Sequence, residues 1–285
     1  MGTNSDIRIR QRRRRRAKRR KQIRTIVSAL LLLIIIFILI ACVKGIFSKN
    51  ANFRDFSAEI IMNLPEPKPK TTDILESLPD NNGKKVCYLT FDDGPTTSVT
   101  PAILDILNRY NAKATFFMTG ALMDTNTEIA KRVHAEGHTL ANHSWRHNYS
   151  YLYDSEENFI QELTDTHDKI CEITGRANYP KIFRFPGGSY DSGSYGSVKQ
   201  NYKHTLKDMG YRYVDWNALS GDAEGQNPTV DQLYSRTVKT TKDKEDVVIL
   251  MHDSATKKVN IEVLPRILDY LISEGYAFST LDKAP

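Results

Sequence analysis

From Lys85 to the end of the chain, short apolar runs alternate with longer stretches in which apolar residues recur at helical spacing. The short runs are rich in β-branched and aromatic residues and predict seven strands, at Val86–Phe91, Ala114–Thr119, His138–Asn142, Ile182–Phe185, Tyr211–Asp215, Val247–His252 and Ala277–Thr280. The longer stretches predict six helices, near Thr100–Tyr110, Glu128–Glu136, Ser155–Thr174, Ser197–Met209, Thr229–Thr241 and Ile261–Glu274. This alternation predicts an α/β domain, either an open doubly wound sheet or a closed or partly closed barrel.

Polar side chains are concentrated where the predicted strands end. Asp92 and Asp93 close the first strand and are followed at once by Gly94 and Pro95, which end regular structure. The later strand ends carry His143 with His147, Arg184, Asp215 with Trp216, and His252 with Asp253. An Asp-Asp-Gly-Pro stretch alone also suits a simple turn. Convergence of so many strand ends on one rim of a barrel instead indicates a catalytic site.

The two histidines after the third strand are candidate metal ligands. His143 and His147 lie four residues apart, so one helical turn would place both rings on the same face. Together with a carboxylate from another strand they form a set of two histidines and one carboxylate, which holds Zn²⁺, Fe²⁺ or Co²⁺ and leaves open positions. No Gly-rich phosphate loop follows the first strand, which disfavours nucleotide binding.

These motifs together resemble the NodB-homology polysaccharide deacetylases, carbohydrate esterase family 4, over residues 85–285. The matching segments are Thr90–Pro95, His143–His147, Arg184–Gly187, Asp215–Asp222 and Leu250–His252, in the family's order. The resemblance implies a distorted (β/α)7 barrel. It also implies a hydrolase that removes N-acetyl, sometimes O-acetyl, groups from polysaccharides.

The resemblance assigns roles to individual residues. Asp93, His143 and His147 would hold one divalent metal ion, with Zn²⁺ first and Co²⁺ or another ion as alternatives. The catalytic set would be Asp92 as general base, His252 as general acid, Asp222 as the partner of His252, and Arg184 as the partner of Asp92. The substrate would meet the backbone N–H of Gly187 and the side chains of Trp216 and Leu250.

The chain departs from the family pattern around the acetyl pocket. Gly187 stands where the family usually has an aromatic residue, and Leu219 and Ala223 replace an Asp and a Trp of the fourth motif. Tyr190 or Tyr195, in the loop after Gly187, is a candidate to fill the gap. The choice of acetylated sugar is therefore open.

The net charge of +6 for 285 residues is unevenly distributed. Residues 1–24 contain twelve Lys and Arg and a single acidic residue, Asp6, so this basic tail carries +11. The rest of the chain carries −5, the difference between +6 and +11. The run Arg12–Arg16 could bind nucleic acid or act as an address, but the segment that follows it favours another interpretation.

That segment, Thr25–Val43, contains no charged residue. At 1.5 Å per residue it spans roughly 28 Å, close to the thickness of the hydrocarbon core. We therefore predict a transmembrane signal anchor over residues 25–47, with the basic tail in the cytoplasm and the remainder outside the cell. A nucleic-acid partner is not expected. An alternative is that Leu39-Ile40-Ala41-Cys42 is a lipobox, in which case Cys42 would carry the lipid.

Residues 48–84 are predicted to form an extracellular linker, because Pro65–Lys70 alternates proline with charged residues and favours extended structure. Residues 85–285 then form the polysaccharide deacetylase domain. Cys87 and Cys171 within it are expected to be free thiols.

We therefore expect a membrane-anchored enzyme that deacetylates cell-wall polysaccharide. Peptidoglycan is the first candidate substrate, through its N-acetylglucosamine or N-acetylmuramic acid residues. Poly-N-acetylglucosamine, chitin oligomers and acetyl-xylan are alternatives. A non-catalytic polysaccharide-binding module on the same fold is the competing class, but a pure binder has no need of both a base such as Asp92 and an acid such as His252.

Overall fold

The computed structural model describes residues 85–284. The predicted basic tail, transmembrane anchor and linker, including Cys42, lie outside the described residues. Within residues 85–284, no helix is both long enough and apolar enough to cross a membrane.

Eight parallel strands form one curled sheet. They are β1 Val86–Asp92, β2 Ala114–Met118, β3 Thr139–Asn142, β4 Ile182–Phe183, β5 Arg212–Tyr213, β6 Ala218–Leu219, β7 Asp246–His252 and β8 Ala277–Phe278. The hydrogen-bonded order is β5-β4-β3-β2-β1-β7-β6, with β8 paired to the start of β1. The longest pairing joins β1 to β7 over seven residues, from Val86 beside Asp246 to Asp92 beside His252.

Eight α-helices connect the strands. They are α1 Thr100–Arg109, α2 Gly120–Thr125, α3 Thr127–Ala135, α4 Tyr149–Leu152, α5 Glu156–Thr174, α6 Gly196–Asp208, α7 Val230–Thr241 and α8 Val259–Ser273. Local sequence explains several of their ends. The Ser155 side chain caps α5 by accepting from the Asn158 N–H, and Gly175 ends the helix in the left-handed conformation. Thr229 and Gln232 form a reciprocal capping box at the start of α7.

Alternation along the strands separates two hydrophobic layers. Cys87, Leu89 and Phe91 of β1 pack in the large core that the outer helices cover. Tyr88, between them in sequence, packs in a smaller cluster that includes Phe117, Val214 and Val248. Since successive side chains of a strand point to opposite faces, Thr90 and Asp92 belong to the same inner face as Tyr88.

The sheet is an open, curled version of the expected (β/α)7 barrel. Its end strands β5 and β6 are joined by only four residues, 214–217. A crossover between neighbouring parallel strands needs about a dozen residues, so β5 and β6 cannot pair with each other and the sheet stays open between them. Residues 85–284 therefore do not form a closed barrel.

The predicted elements were confirmed in type but not in every boundary or in number. All seven predicted strands and six predicted helices are present. The sequence pattern missed β6, α2 and α4, because elements of two to six residues are too short to show a hydrophobic periodicity. The strands predicted over Ile182–Phe185 and Tyr211–Asp215 contain only two residues each. A hydrogen bond from the Arg184 N–H to Asn142 O extends the pairing of β4 by one residue, and one from the Val214 N–H to Phe183 O does the same for β5.

The loop after β1 is held against the end of β7 by Asp253. This fully buried carboxylate accepts from the Thr100 hydroxyl at 2.6 Å, and the Asp253 N–H donates to Asp92 O. A Cβ atom on Gly94 would lie 2.1 Å from Asp253 Oδ2. Only glycine therefore fits at position 94 while the Asp253 carboxylate keeps its place.

We predict that Gly94→Ala lowers the free energy of unfolding by about 1–3 kcal/mol, the usual consequence of forcing an extra carbon into a packed site. Urea denaturation followed by circular dichroism measures the change. Thr97→Ala, at an exposed position in the same loop, is the matched control and should change stability by less than about 0.5 kcal/mol. Equal stability of Gly94→Ala and the unmodified protein would show that this loop is not packed as described.

Candidate metal-binding active site

The candidate site lies at the carboxyl ends of β1, β3, β4 and β7. Asp92 and His252 are register partners on β1 and β7, so the sheet itself brings these two side chains together. Asp93 follows β1, His143 follows β3 and Arg184 follows β4. The predicted convergence of strand-end residues is thus confirmed.

Asp93, His143 and His147 form a compact group. Asp93 Oδ1 lies 3.5 Å from His143 Nε2 and 3.3 Å from His147 Nε2. One ligand atom from each residue can be chosen so that all three lie within 4.8 Å of one another. Among the described residues, no hydrogen-bond partner is found for the buried Asp93 Oδ1. A carboxylate oxygen left without a donor beside two imidazole nitrogens fits a divalent metal ion.

The tautomer and charge of the histidines also fit a metal. His143 Nδ1 lies 2.9 Å from the Arg184 carbonyl oxygen, which can only accept, so Nδ1 carries the proton and Nε2 is left for a ligand bond. Burial and the neighbouring His143 lower the pKa of His147, which favours the neutral ring that binds metals. Burial raises the pKa of Asp93, but the nearby imidazole groups of His143, His147 and His252 outweigh it and hold that pKa well below its usual range.

The two histidines are not on a helix, contrary to the expectation from their spacing. Ser144 and His147 both have positive φ, 68° and 52°, and residues 143–148 have no regular structure. Their rings meet at a centroid distance of 5.1 Å because the loop turns back on itself. The two rings are therefore close together, but not through the helical geometry that their spacing suggested.

A buried glutamate of α5 holds this loop. Glu162 is fully buried, and its Oε2 accepts the N–H groups of Trp145 at 2.7 Å and Arg146 at 2.9 Å. The Arg146 guanidinium forms an ion pair with its other oxygen. The Asn142 side chain accepts from the Ser144 N–H, and the Ser144 hydroxyl accepts from the His147 N–H. These side chains replace the hydrogen bonds that a helix would have made.

Arg184 is fully buried and pairs with Asp92, as predicted. Its Nη1 donates to Asp92 Oδ1 at 2.8 Å and to the Thr90 hydroxyl at 2.7 Å. Its Nε and Nη2 donate to the carbonyls of Val214 and Asp215, both at 3.0 Å. One oxygen of Asp92 is therefore fixed, while Asp92 Oδ2 lies 3.9 Å from His143 Nε2.

His252 is paired with Asp222, again as predicted. His252 Nδ1 lies 2.9 Å from Asp222 Oδ1, and Asp222 Oδ2 accepts from the His252 N–H at 2.7 Å. Asn260 donates to Asp222 Oδ2 and to the His252 carbonyl. Burial lowers the pKa of His252, but the Asp222 charge and hydrogen bond, with Asp92 and Asp93, raise it to about 9. The same contact lowers the pKa of Asp222 against the opposing effect of burial.

A cavity of about 300 Å³ joins these groups. Predicted site residues line it, namely Asp92, Asp93, His143, His147, Gly187, Trp216, Asp222, Leu250 and His252. Further lining residues are Tyr149, Phe185, Leu219, Gly221, Ala223 and Glu224. Its volume is at the lower end of the range typical for small-molecule sites, and it suits one acetylated sugar ring better than a long ligand.

The aromatic wall near Gly187 comes from Tyr149, not from Tyr190 or Tyr195. A Cβ atom on Gly187, where φ is +72°, would lie 2.8 Å from the Tyr149 hydroxyl oxygen. Tyr190 instead packs edge-on against Trp216 at 5.7 Å, and the Tyr195 ring packs at a tilt against those of Tyr149 and Tyr153. The expectation that Tyr190 lines the cavity was wrong, because the loop after Gly188 directs its ring onto Trp216.

Sequence reasoning also missed residues that line or support the site. Glu162, Asn260 and Tyr149 lie in or beside helices where an isolated polar or aromatic residue is no signal of function. Asp215 accepts from the Ser189 N–H and hydroxyl, so it anchors the loop after Gly187. Cys87 and Cys171 are both free thiols, the first buried and the second partly exposed.

Comparison with known proteins places this geometry in a family. The profile of the polysaccharide deacetylase family matches residues 80–214. A peptidoglycan-N-acetylglucosamine deacetylase of Bacillus cereus is 34% identical over 226 residues, which cover 77% of this chain and 78% of that protein. A second protein of that description from Bacillus cereus is 32% identical over 203 residues, 71% of this chain and 89% of that protein.

A solved structure gives the same result. The catalytic domain of a peptidoglycan N-acetylglucosamine deacetylase from Eubacterium rectale superposes with a TM-score of 0.65 and 31% identity, covering 76% of this chain and 94% of that one. These three relatives, each more than 30% identical, are thus matched along more than three quarters of their length. The chain belongs to the polysaccharide deacetylase family, carbohydrate esterase family 4.

Proposed function

We propose that this protein is a metal-dependent hydrolase that removes the N-acetyl group from N-acetylglucosamine residues of peptidoglycan. The observation that carries the proposal is that two proton-handling groups, Asp92 and His252, line one cavity beside the Asp93–His143–His147 group. Each has its own buried partner, Arg184 for Asp92 and Asp222 for His252. A non-catalytic binding module would not need this pairing.

Asp93, His143 and His147 would hold the metal ion, with Zn²⁺ as the first candidate and Co²⁺ as an alternative. When bound, a divalent ion supplies Lewis-acid polarisation of the acetyl carbonyl and of water. The preference for Zn²⁺ rests on two imidazole nitrogens and one carboxylate oxygen, a donor set that suits this ion when one position stays open.

Asp92 would act as general base. It would take a proton from the water that attacks the acetyl carbonyl carbon. Arg184 occupies Oδ1 of Asp92, so Oδ2 is the oxygen left to receive the proton. Because Arg184 and Thr90 are fixed in the buried sheet interior, Asp92 would keep its orientation throughout the reaction.

His252 would act as general acid. The Asp222 carboxylate accepts from Nδ1, so Nε2 is the nitrogen left to donate a proton to the departing amine. The Asp222 charge and hydrogen bond raise the pKa of His252 and so favour the protonated ring. The C–N bond then breaks with its electron pair on nitrogen, and the products are acetate and the free amine of the sugar.

Gly187, Tyr149, Trp216 and Leu250 would position the acetyl group. The N–H of Gly187 would donate to the oxygen that gains charge as the carbonyl carbon becomes tetrahedral. Trp216 and Tyr149 offer aromatic faces, and Leu250 an apolar one, against which a sugar ring or methyl group can pack. The named relatives support N-acetylglucosamine, whereas N-acetylmuramic acid, poly-N-acetylglucosamine, chitin oligomers and acetyl-xylan are the alternative substrates.

The place of action is proposed from sequence. The uncharged segment Thr25–Val43 beside a tail of charge +11 supports a single-pass membrane protein with its catalytic domain outside the cell. Lipid attachment at Cys42 is the alternative. In either arrangement the enzyme would work on the wall next to the membrane.

We predict that the full-length protein with added Zn²⁺ releases acetate from peptidoglycan and from N-acetylglucosamine oligomers. Asp92→Asn should lower kcat by roughly 10²–10⁴-fold, because it removes the base, and should leave Zn²⁺ affinity unchanged. Asp93→Asn should weaken Zn²⁺ binding by at least about tenfold, because it replaces a charged ligand. Acetate assay and isothermal titration calorimetry measure the two effects.

Asp208→Asn, an exposed change at the end of α6, is the control and should affect neither quantity. Absence of acetate release from every acetylated glycan tried with Zn²⁺ or Co²⁺ would contradict the enzymatic function. A fully active Asp92→Asn protein would contradict only the division of roles between the two carboxylates.

We predict that His252 of the metal-free protein titrates near pH 9, as its raised pKa requires. Asp222→Asn should move the midpoint down toward the ordinary value of 6.5, because the stabilising charge is lost. The folded-state pKa is above that of the unfolded chain. The stability that protonated His252 gives the folded protein is therefore fully present below about pH 6.5 and is lost as the pH rises through about 9.

NMR of ¹³C-labelled histidine in the metal-free protein measures the titration. Asn260→Ala, which removes a second donor to Asp222 without removing its charge, should change the midpoint less than Asp222→Asn. A wild-type midpoint near 6.5 would rule out the described pairing.

A further inference from the structure

Lys199 is a buried cation that the proposed reaction does not use. It is the fourth residue of α6 and only 6% exposed. Burial lowers the pKa of its amine, partly opposed by the charge of Asp215. A cation in the first turn of a helix also opposes the helix dipole. An apolar chain of similar length would avoid both penalties, so the ammonium group needs a specific reason to be there.

The amine contacts one loop and two aromatic rings. Its Nζ donates to the carbonyl oxygens of Pro186 at 3.1 Å and Gly188 at 2.8 Å. It also lies 5.2 Å from the ring centre of Tyr153 and 5.9 Å from that of Tyr149. These contacts compensate for lost hydration. Both carbonyls belong to the residues that flank Gly187.

The loop at Gly187 needs such a clamp. Gly187 and Gly188 have positive φ values of 72° and 75°, and two successive glycines are the most flexible backbone a chain can have. The Gly188 N–H donates to Phe185 O at 2.7 Å, and the Tyr153 hydroxyl donates to Pro186 O at 3.1 Å. The Lys199 ammonium group bonds to the backbone on both sides of Gly187.

We propose that Lys199 is a positioning residue that fixes the peptide groups around Gly187, so that the Gly187 N–H stays directed at the developing oxyanion. This inference rests on the proposed deacetylation, in which Gly187 is the backbone donor. A donor that is held in place before the reaction stabilises the transition state more than one that must be ordered during it. Lys199 therefore contributes to kcat without touching the substrate.

The test is the Lys199→Met variant of the full-length protein, assayed with Zn²⁺. This change removes the amine but keeps an unbranched side chain of similar length. We expect kcat to fall by about 10–100-fold, with KM and the Zn²⁺ dissociation constant within about twofold of wild type. Hydrogen exchange of residues 185–191, followed by mass spectrometry in the absence of substrate, should become faster. Lys207→Met, an exposed change on the same helix, should leave all four quantities unchanged.

Tyr153→Phe provides a milder second variant, in case Lys199→Met does not fold. It removes only the hydroxyl that donates to Pro186 O, and should lower kcat in the same direction by a smaller factor. If kcat stays within twofold of wild type in both variants, Lys199 does not position the donor. If KM or Zn²⁺ binding deteriorates as much as kcat, the role is general support of the site and the proposal is wrong. An inactive wild type would instead refute the deacetylase function itself.

Discussion

The buried guanidinium of Arg184 is the interaction on which the site depends. A buried charge is tolerated only when its donors are satisfied, and here the acceptors come from two separate parts of the chain. They are Thr90 and Asp92 of β1, and the carbonyls of Val214 and Asp215 in the connection between β5 and β6. The guanidinium also lies 4.0 Å from the centre of the Phe117 ring. The carbonyl of Arg184 in turn accepts from His143 Nδ1.

This arrangement links the open side of the sheet to the catalytic groups. The chain must cross from β5 to β6 where no strand pairing joins them, and Arg184 bonds that crossing segment to the first strand. The Arg184 side chain orients one oxygen of Asp92, and the Arg184 carbonyl fixes the tautomer of His143. The same buried cation therefore contributes both to the packing of the open side of the sheet and to the organisation of the active site.

Backbone geometry gives two adjacent carboxylates different surroundings. Asp92 ends β1 and its side chain lies on the inner face, 3% exposed and next to Arg184. Asp93 lies beyond the strand with φ of 76°, so it leaves the alternation and turns toward His143 and His147. A non-glycine residue in this region carries strain, which commonly marks functional sites. The backbone here directs the side chain of Asp92 toward Arg184 and that of Asp93 toward the two histidines.

The sequence by itself determined what depends on local pattern: the order and type of the long strands and helices, the polar strand ends, and the residues Asp92, Asp93, His143, His147, Arg184, Asp222 and His252. The strand-end members of this set follow from periodicity along the chain, whereas Asp222 and the expected roles of the whole set follow from the resemblance of the motifs to those of the family. Tertiary structure alone decided that the histidines lie on a loop, because Glu162 of α5 satisfies the N–H groups that would otherwise require a helix. It also decided that the sheet stays open at β5 and β6, and that Tyr149 forms the wall beside Gly187. These outcomes depend on hydrogen bonds and packing between residues that are far apart in the sequence, and the spacing of residues along the chain does not reveal such contacts.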